Sequence, residues 1–233
     1  VLHVRMEIQI GNCGRFEGWS ADMIAPKWFE KSDDKSYRQC LDELLAVAQN
    51  AATIYKDLEK RPIRFFDLWL QAHRIAKVWS RTNKVNDLMG SNGPSLMERA
   101  LIDAVGIYSG LTYHEMLANN ILGIDFKAIH NELDVMSVKD VISKRPVESL
   151  EIRHTVGLVD PLLDQDIDEE FRINDGLPQS LESYIREQGI RYFKIKIGGD
   201  SYTDFERLRD ICGLLDSRCQ NYYVTLDGNE QYN

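Results

Sequence analysis

The fold of the second half of this chain is decided by the stretch Tyr192-Phe-Lys-Ile-Lys-Ile-Gly198. Side chains alternate between the two faces of a strand, so Lys194 and Lys196 share one face and the apolar residues share the other. A strand of a parallel sheet is normally apolar on both faces. The two lysines near its carboxyl end therefore mark this strand end as a candidate functional site.

An alternation of strands and helices surrounds this stretch. The segments 149–156, 190–197 and 222–227 have strand character. Helix signals stand between them, at Ser180 and at the capping box Thr203-Asp-Phe-Glu206. The order strand, helix, strand, helix, strand predicts a parallel sheet with helical crossovers. In a βα barrel, the carboxyl ends of such strands carry the active site.

The strand at 222–227 also ends in polar residues. Asp227 would face the same side as Thr225, with Asn229 just past the end. A carboxylate can bind Mg²⁺, and a neighbouring lysine can act as a base. Each motif alone has an ordinary interpretation, because K-x-K is common on exposed edge strands and Asp-Gly after a strand marks a hairpin. Both motifs at successive strand ends favour a site that removes a proton next to a carboxylate.

Residues 1–145 have a different, α+β pattern. An alternating run at the N-terminus predicts the first strand of a meander, and Phe16-Glu-Gly-Trp-Ser could return as the second. Two long helices are predicted over 36–59 and 65–89, and a third is predicted to begin at the capping box Ser95-Leu-Met-Glu98. The sequence thus predicts a strand meander with a helical bundle, followed over 146–233 by the parallel βα region.

Composition restricts the partners of the protein. The net charge of −9 argues against nucleic acid, which needs clustered lysine and arginine. The sequence has no apolar run long enough to span a bilayer and no signal peptide, so no membrane partner is expected. None of the four cysteines form a C-x-x-C pair and the histidines near them lack zinc spacing, which favours free thiols in a reducing cytoplasm.

Lys194-Ile-Lys196 followed by Asp227-Gly-Asn229 resembles the enolase superfamily, in its mandelate racemase and muconate lactonizing enzyme branch. The run Glu98-Arg-Ala-Leu-Ile-Asp-Ala-Val-Gly106 is similar to a helix of that branch's capping domain. The segment Gly18-Trp-Ser-Ala-Asp22 stands where the branch has a mobile substrate-covering loop. The resemblance implies an N-terminal α+β capping domain, the first part of a TIM-type βα barrel, and a homo-oligomer.

The resemblance also implies roles for single residues. Lys196 would be the base that takes the α-proton of a small carboxylate substrate. Lys194 would lie beside the substrate carboxylate and favour the neutral form of Lys196. Asp227 would be the first of three acidic ligands to Mg²⁺, and Asn229 would contact the substrate or the outer shell of the metal.

Other residues have less specific expectations. Trp28 and Phe29 would lie in a loop that closes over the substrate, or they would serve ordinary packing between domains. Glu98 and Asp103 belong to the helix of the capping domain and are expected to be structural. His154 could reach the pocket from the first barrel strand, although a structural role is favoured.

The implied reaction is abstraction of the proton α to a carboxylate, giving an enediolate stabilised by Mg²⁺, as in a racemase or epimerase, an acid-sugar dehydratase or a cycloisomerase. Because the chain ends soon after the third barrel strand, it is expected to be part of a longer polypeptide and inactive alone. The alternative is a non-catalytic relative that serves as a binding or assembly subunit. A third possibility is a barrel aldolase with Lys196 as its Schiff-base nucleophile.

Overall fold

A computed structural model describes residues 1–32, 34–58 and 62–229. The chain divides into two compact units, Val1–Pro146 and Val147–Asn233, next to the boundary predicted from the change in sequence pattern. The fold is mixed α/β, with a two-stranded antiparallel sheet in the first unit and a three-stranded parallel sheet in the second. Within the described ranges, no helix is both long and apolar enough to cross a membrane.

The elements follow one another in the order that the sequence pattern predicts, with some changes at their ends. The first unit contains β1 (Leu2–Gln9), β2 (Arg15–Asp22), α1 (Pro26–Phe29), α2 (Tyr37–Leu58), α3 (Phe65–Thr82), α4 (Asp87–Ser109), α5 (Tyr113–Ala118) and α6 (Val138–Val141). The second unit contains β3 (Arg153–Val156), α7 (Leu181–Gln188), β4 (Tyr192–Lys196), α8 (Ser201–Arg218) and β5 (Tyr223–Asp227).

The core of the first unit lies between the β1–β2 hairpin and the three long helices. The apolar positions of β1 alternate with exposed ones, and Val4, Met6 and Ile8 pack against buried residues of the helices. Those buried residues are Ala51, Ile54, Tyr55, Ala72, Ala76, Met97 and Leu101. The strand period and the helical spacing predicted from the sequence are therefore both confirmed in this unit.

The predicted start of the third helix at Ser95 is wrong. The helix α4 begins two turns earlier, where the side chain of Asn86 caps it, and Pro94 lies inside it. A proline cannot donate to the carbonyl one turn before it, so local sequence argues against this position. Tertiary contact decides otherwise, because α4 lies so close to α2 that a Cβ added to Gly93 would stand 2.5 Å from the carbonyl oxygen of Val47.

The mobile loop that the resemblance implies at 18–22 is also wrong, because these residues form the second half of β2, which confirms the returning strand predicted at 16–20. This strand lies directly on α4, and a Cβ added to Gly18 would stand 2.1 Å from the carbonyl oxygen of Ala100. The amide of Trp19 donates to the carboxylate of Asp103 at 2.8 Å. The glycine thus serves close packing of strand against helix instead of loop mobility.

In the second unit, β4 is the central strand of a parallel sheet with the order β3-β4-β5, as the alternation of elements predicts. Phe193 and Ile195 are fully buried and pack with Ile211 and Leu215 of α8. By contrast, Leu226 on the same face of β5 is 54% exposed, because no described helix follows that strand. The three described strands form an open sheet, and the barrel itself is not seen within residues 147–229.

The helices of the second unit are bounded by local signals. The hydroxyl of Ser180 caps α7 by accepting from the Ser183 amide, and Gly189 ends the helix in the left-handed conformation, with φ at 61°. The predicted start of the next helix at Thr203 is wrong by one turn. The carboxylate of Asp200 caps α8 instead, by accepting from the Thr203 amide at 2.8 Å.

Candidate active site

The candidate site is built on the polar face of β4 and β5. The buried Phe193 and Ile195 fix β4 against the helices, so the alternate side chains of Lys194 and Lys196 must point away from the core. In the parallel register, Lys194 stands beside Thr225 and Lys196 stands beside Asp227. The lysines and the acid predicted to lie together are therefore neighbours on one face.

A single carboxylate oxygen joins the two lysines. The Nζ of Lys196 lies 2.7 Å from Oδ2 of Asp227, directly across the strand pair. The Nζ of Lys194 reaches the same oxygen diagonally, at 3.2 Å. All three side chains are about a quarter exposed, at 28%, 26% and 28% for Lys194, Lys196 and Asp227. The cluster is thus accessible from solvent but well enough shielded for its charges to interact.

Asn229 completes the cluster from the turn that follows β5. Its backbone has a φ of +46°, in the left-handed region that asparagine tolerates better than most residues. The turn brings Oδ1 of Asn229 to 2.6 Å from Nζ of Lys196, so the amide oxygen accepts from the ammonium group. The four predicted residues of the second unit therefore form one connected group.

The charges of the cluster determine the titration of Asp227. The hydrogen bond from Lys196 is the main cause that lowers the pKa of Asp227 to about 2, and the hydrogen bond from Lys194 acts in the same direction. The carboxylate therefore stays ionised at any pH near neutrality. An oxygen that remains charged and partly exposed can serve as a ligand for a hard cation or as an anchor for a lysine.

This pKa leads to a measurable prediction. The side-chain carboxyl carbon of Asp227 is expected to titrate near pH 2 in ¹³C NMR, and the midpoint is expected to rise in Lys196→Met, which removes the main hydrogen bond. Because the folded pKa is lowered, the stabilising contribution is present above the unfolded value of about 3.9 and is lost as the pH falls towards 2. A wild-type midpoint near 4 would contradict the geometry.

The oxygen donors of the site are suited to Mg²⁺. Asp227 offers an ionised carboxylate and Asn229 an amide oxygen, and hard cations prefer both types of ligand. Among the residues that the structure describes, no group of three or more His, Cys, Asp or Glu side chains could hold a metal. Mg²⁺ is often bound through one or two carboxylates with waters and substrate oxygens, so the donors present fit part of such a site.

Trp28 and Phe29 belong to the first unit, at the end of the short helix α1. Phe29 packs on a buried cluster that includes Cys40 and Leu44, so packing within its own unit accounts for it. Trp28 is 64% exposed and touches Phe29 edge to face, with ring centroids 5.0 Å apart. A role for Trp28 against a substrate stays a prediction.

The remaining expectations concern residues away from the lysines. The ring of His154 faces α7, where it lies 4.3 Å from the ring of Tyr184, and burial lowers its pKa. It therefore stands on the opposite face of the sheet from Lys194. In the first unit, a carboxylate oxygen of Glu98 accepts from the indole of Trp69 at 2.9 Å, which agrees with a structural role.

Two residues of α8 that the sequence did not single out hold the strand ends. The carboxylate of Asp204 accepts from the amides of Gly198 and Gly199, just after β4. The guanidinium of Arg207 donates to the carbonyl of Gly157, just after β3. Their place in the first turns of a crossover helix was visible in the sequence, but their partners lie in loops whose paths only the folded chain defines.

A cavity of about 280 Å³ lies elsewhere in the second unit and is lined in part by Arg191, Arg218 and Cys219. These residues precede β4 and β5, so the cavity lies at the amino ends of the strands. Parallel-sheet proteins bind their ligands beyond the carboxyl ends. The lysine cluster is thus the stronger candidate, although it is not an enclosed cavity.

Comparisons of the chain with family models, with curated proteins and with solved structures found no match. The resemblance to the enolase superfamily therefore depends on the residues quoted above. It remains a prediction, and the chemistry of the site must be argued from the cluster itself.

Proposed function

We propose that the protein is a Mg²⁺-dependent enzyme that abstracts the proton α to a carboxylate. Such chemistry covers racemases, epimerases, acid-sugar dehydratases and cycloisomerases. We further propose that β3, α7, β4, α8 and β5 are the first part of a TIM-type barrel and that the first unit is its capping domain. The observation that carries the proposal is the sharing of one Asp227 oxygen by Lys194 and Lys196.

The lysine pair suits proton abstraction for an electrostatic reason. The two Nζ atoms meet at one Asp227 oxygen, so a fixed positive charge stands beside the amine that would act as the base. Lys196 makes the shorter contact to Asp227 and also reaches Asn229, so it stands nearest the strand ends, where a substrate would bind. A neutral Lys196 would take the α-proton, and Lys194 would keep its charge beside the substrate carboxylate.

The Asp227 carboxylate would contribute to holding the cation, with the Asn229 oxygen beside it. When bound there, Mg²⁺ would supply a hard Lewis acid that stabilises negative charge on the substrate carboxylate. Asp227 is suited to this task because the lowered pKa keeps it ionised. The same oxygen now accepts from both lysines, so cation binding and lysine pairing compete for it.

The test is exchange of the α-hydrogen with solvent deuterium. The full-length protein with Mg²⁺ is incubated in D₂O with a panel of acid sugars and amino-acid derivatives, and deuterium at the α-carbon is followed by mass spectrometry. Asp227→Asn is expected to reduce the exchange rate by about a hundredfold or more, since it removes the charged ligand. The control is Asp210→Asn, which removes an exposed carboxylate of α8 and should leave the rate unchanged.

One observation favours a second candidate function. The Asp227 carboxylate is already satisfied by two ammonium groups, so the cluster could stabilise a binding or assembly subunit without a metal. That candidate predicts no heat of Mg²⁺ binding in calorimetry and no α-exchange with any substrate. Mg²⁺ binding that is lost in Asp227→Asn would exclude it. Trapping of a substrate on Lys196 by borohydride would instead support the aldolase alternative.

A further inference from the structure

The turn after β4 is held by a buried acid. Asp204 is only 6% exposed, and its two carboxylate oxygens accept from the amides of Gly198 and Gly199 at 2.8 and 2.9 Å. Gly199 has a φ of +96°, a conformation that favours glycine. The carboxylate thus fixes the backbone that follows Lys196 through two charge-assisted hydrogen bonds.

One turn later, the same helix holds the end of β3. The Nη2 of Arg207 donates to the carbonyl oxygens of Gly157 and Asp160, at 2.6 and 2.9 Å. The amide of Gly157 in turn donates to the Asp160 carboxylate at 2.6 Å. The loop after β3 is therefore closed on itself and is attached to α8 by a charged side chain.

The third strand end is attached through the backbone. The amide of Ile197 donates to the carbonyl oxygen of Asp227 at 3.1 Å, one residue beyond the last lysine. The ends of β4 and β5 are therefore hydrogen-bonded to each other. The loops that follow β3 and β4 are bonded to the same helix, α8, through the side chains of Arg207 and Asp204. Displacement of the turn after β4 would displace Lys196 relative to Asp227.

We propose that Asp204 and Arg207 are positioning residues that set the geometry of the Lys194–Asp227–Lys196 group. Helix capping does not explain Asp204, because Asp200 already caps α8 through the Thr203 amide. Burial of a carboxylate is costly unless its oxygens are bonded, and here both are bonded to the turn next to the site. The effect of these two residues on catalysis rests on the proposed function, whereas their effect on the placement of the lysines does not.

The test measures the acylation of lysines in the full-length protein, without substrate or metal. An amine whose nitrogen is enclosed by acceptors is less accessible to acetic anhydride, so Lys194 and Lys196 report directly on their pairing. In Asp204→Asn, one acceptor oxygen becomes an NH₂ group that cannot accept from an amide. Acetylation of Lys196, quantified by peptide mass spectrometry, is expected to rise about threefold relative to Lys127 and Lys139, which lie in the other unit.

The matched control is Asp200→Asn, which removes the same charge from the same helix but keeps a good capping side chain. It should leave the labelling of Lys196 unchanged. Hydrogen exchange at the amides of Phe193 and Ile195 shows whether the sheet stays folded, since a merely stabilising role would alter exchange and labelling together. If Asp204→Asn does not fold, Arg207→Gln replaces it with the same expectation.

Unchanged Lys196 labelling in a folded variant, or an equal rise in Asp200→Asn, would overturn the proposal. Failure of the α-proton exchange test would not, because acetylation depends only on the lysine pair. Increased labelling without α-exchange activity would therefore separate a correct positioning role from an incorrect proposed reaction.

Discussion

Replacement of Lys196 by arginine is expected to abolish α-proton exchange. Arginine keeps the positive charge beside Asp227, but its guanidinium stays protonated at all accessible pH values and cannot act as a base. A positioned general base contributes about a hundredfold to ten-thousandfold to the rate, so a loss of that order is expected. The measurement is deuterium incorporation at the α-carbon of a substrate that the wild-type protein exchanges.

Lys194→Arg is the matched control for this substitution. Lys194 is proposed to act through its charge, which arginine retains, so this variant should keep at least a tenth or so of the wild-type rate. Retained exchange in Lys196→Arg would show that another group is the base. Equal losses of exchange rate in both variants would show that the site requires the shape of the lysine side chains and that neither lysine acts specifically as the base.

Gly18→Ala is expected to give the largest loss of stability. An added methyl group would stand 2.1 Å from the carbonyl oxygen of Ala100 and 2.3 Å from the backbone nitrogen of Ala104. Backbone atoms in the middle of α4 cannot move aside as a flexible side chain can, so β2 must separate from the helix. We expect a loss of roughly 3 kcal/mol in the free energy of unfolding, at the upper end for overpacking. Urea unfolding followed by circular dichroism measures it.

The control is Gly213→Ala in α8, where an added Cβ meets nothing within 4 Å. Alanine is the better helix former, so this variant should gain about 0.5–1 kcal/mol. Hydrogen exchange then locates the effect of Gly18→Ala, because amides of β1, β2 and α4 should lose protection while those of β4 do not. A wild-type unfolding midpoint for Gly18→Ala would contradict the close packing of β2 on α4.

Local sequence was sufficient to predict the features that depend on a single strand, such as the face on which a side chain lies. The alternation in β4 requires that Lys194 and Lys196 oppose Phe193 and Ile195, whatever packs around them. The same rule predicted that Asp227 faces the same side as Thr225, and the folded sheet then sets the register that puts Asp227 beside Lys196. The parallel order of the sheet could likewise be predicted, because helices separate its strands.

Local sequence was insufficient where distant backbone came close. The capping box at Ser95 was a sound local signal, yet α4 begins at Asp87, where Gly93 allows the helix to lie close to α2. The mobile loop at 18–22 was implied only by the family resemblance, and pairing with β1 and contact with α4 make this segment a strand. Close packing between separate elements outweighs the helix or strand propensity of single residues. That propensity varies by less than about 1 kcal/mol per residue for most residue types.

The sequence by itself determined which residues form the polar face of the second unit, because successive side chains of a strand point to opposite faces of the sheet. Only the tertiary structure decided that Asp227 joins both lysines through one oxygen and that Asn229 turns back onto Lys196. It also decided that α8 anchors the neighbouring strand ends through Asp204 and Arg207. Such contacts depend on distances between separate elements, and those distances are set by core packing, which no local pattern encodes.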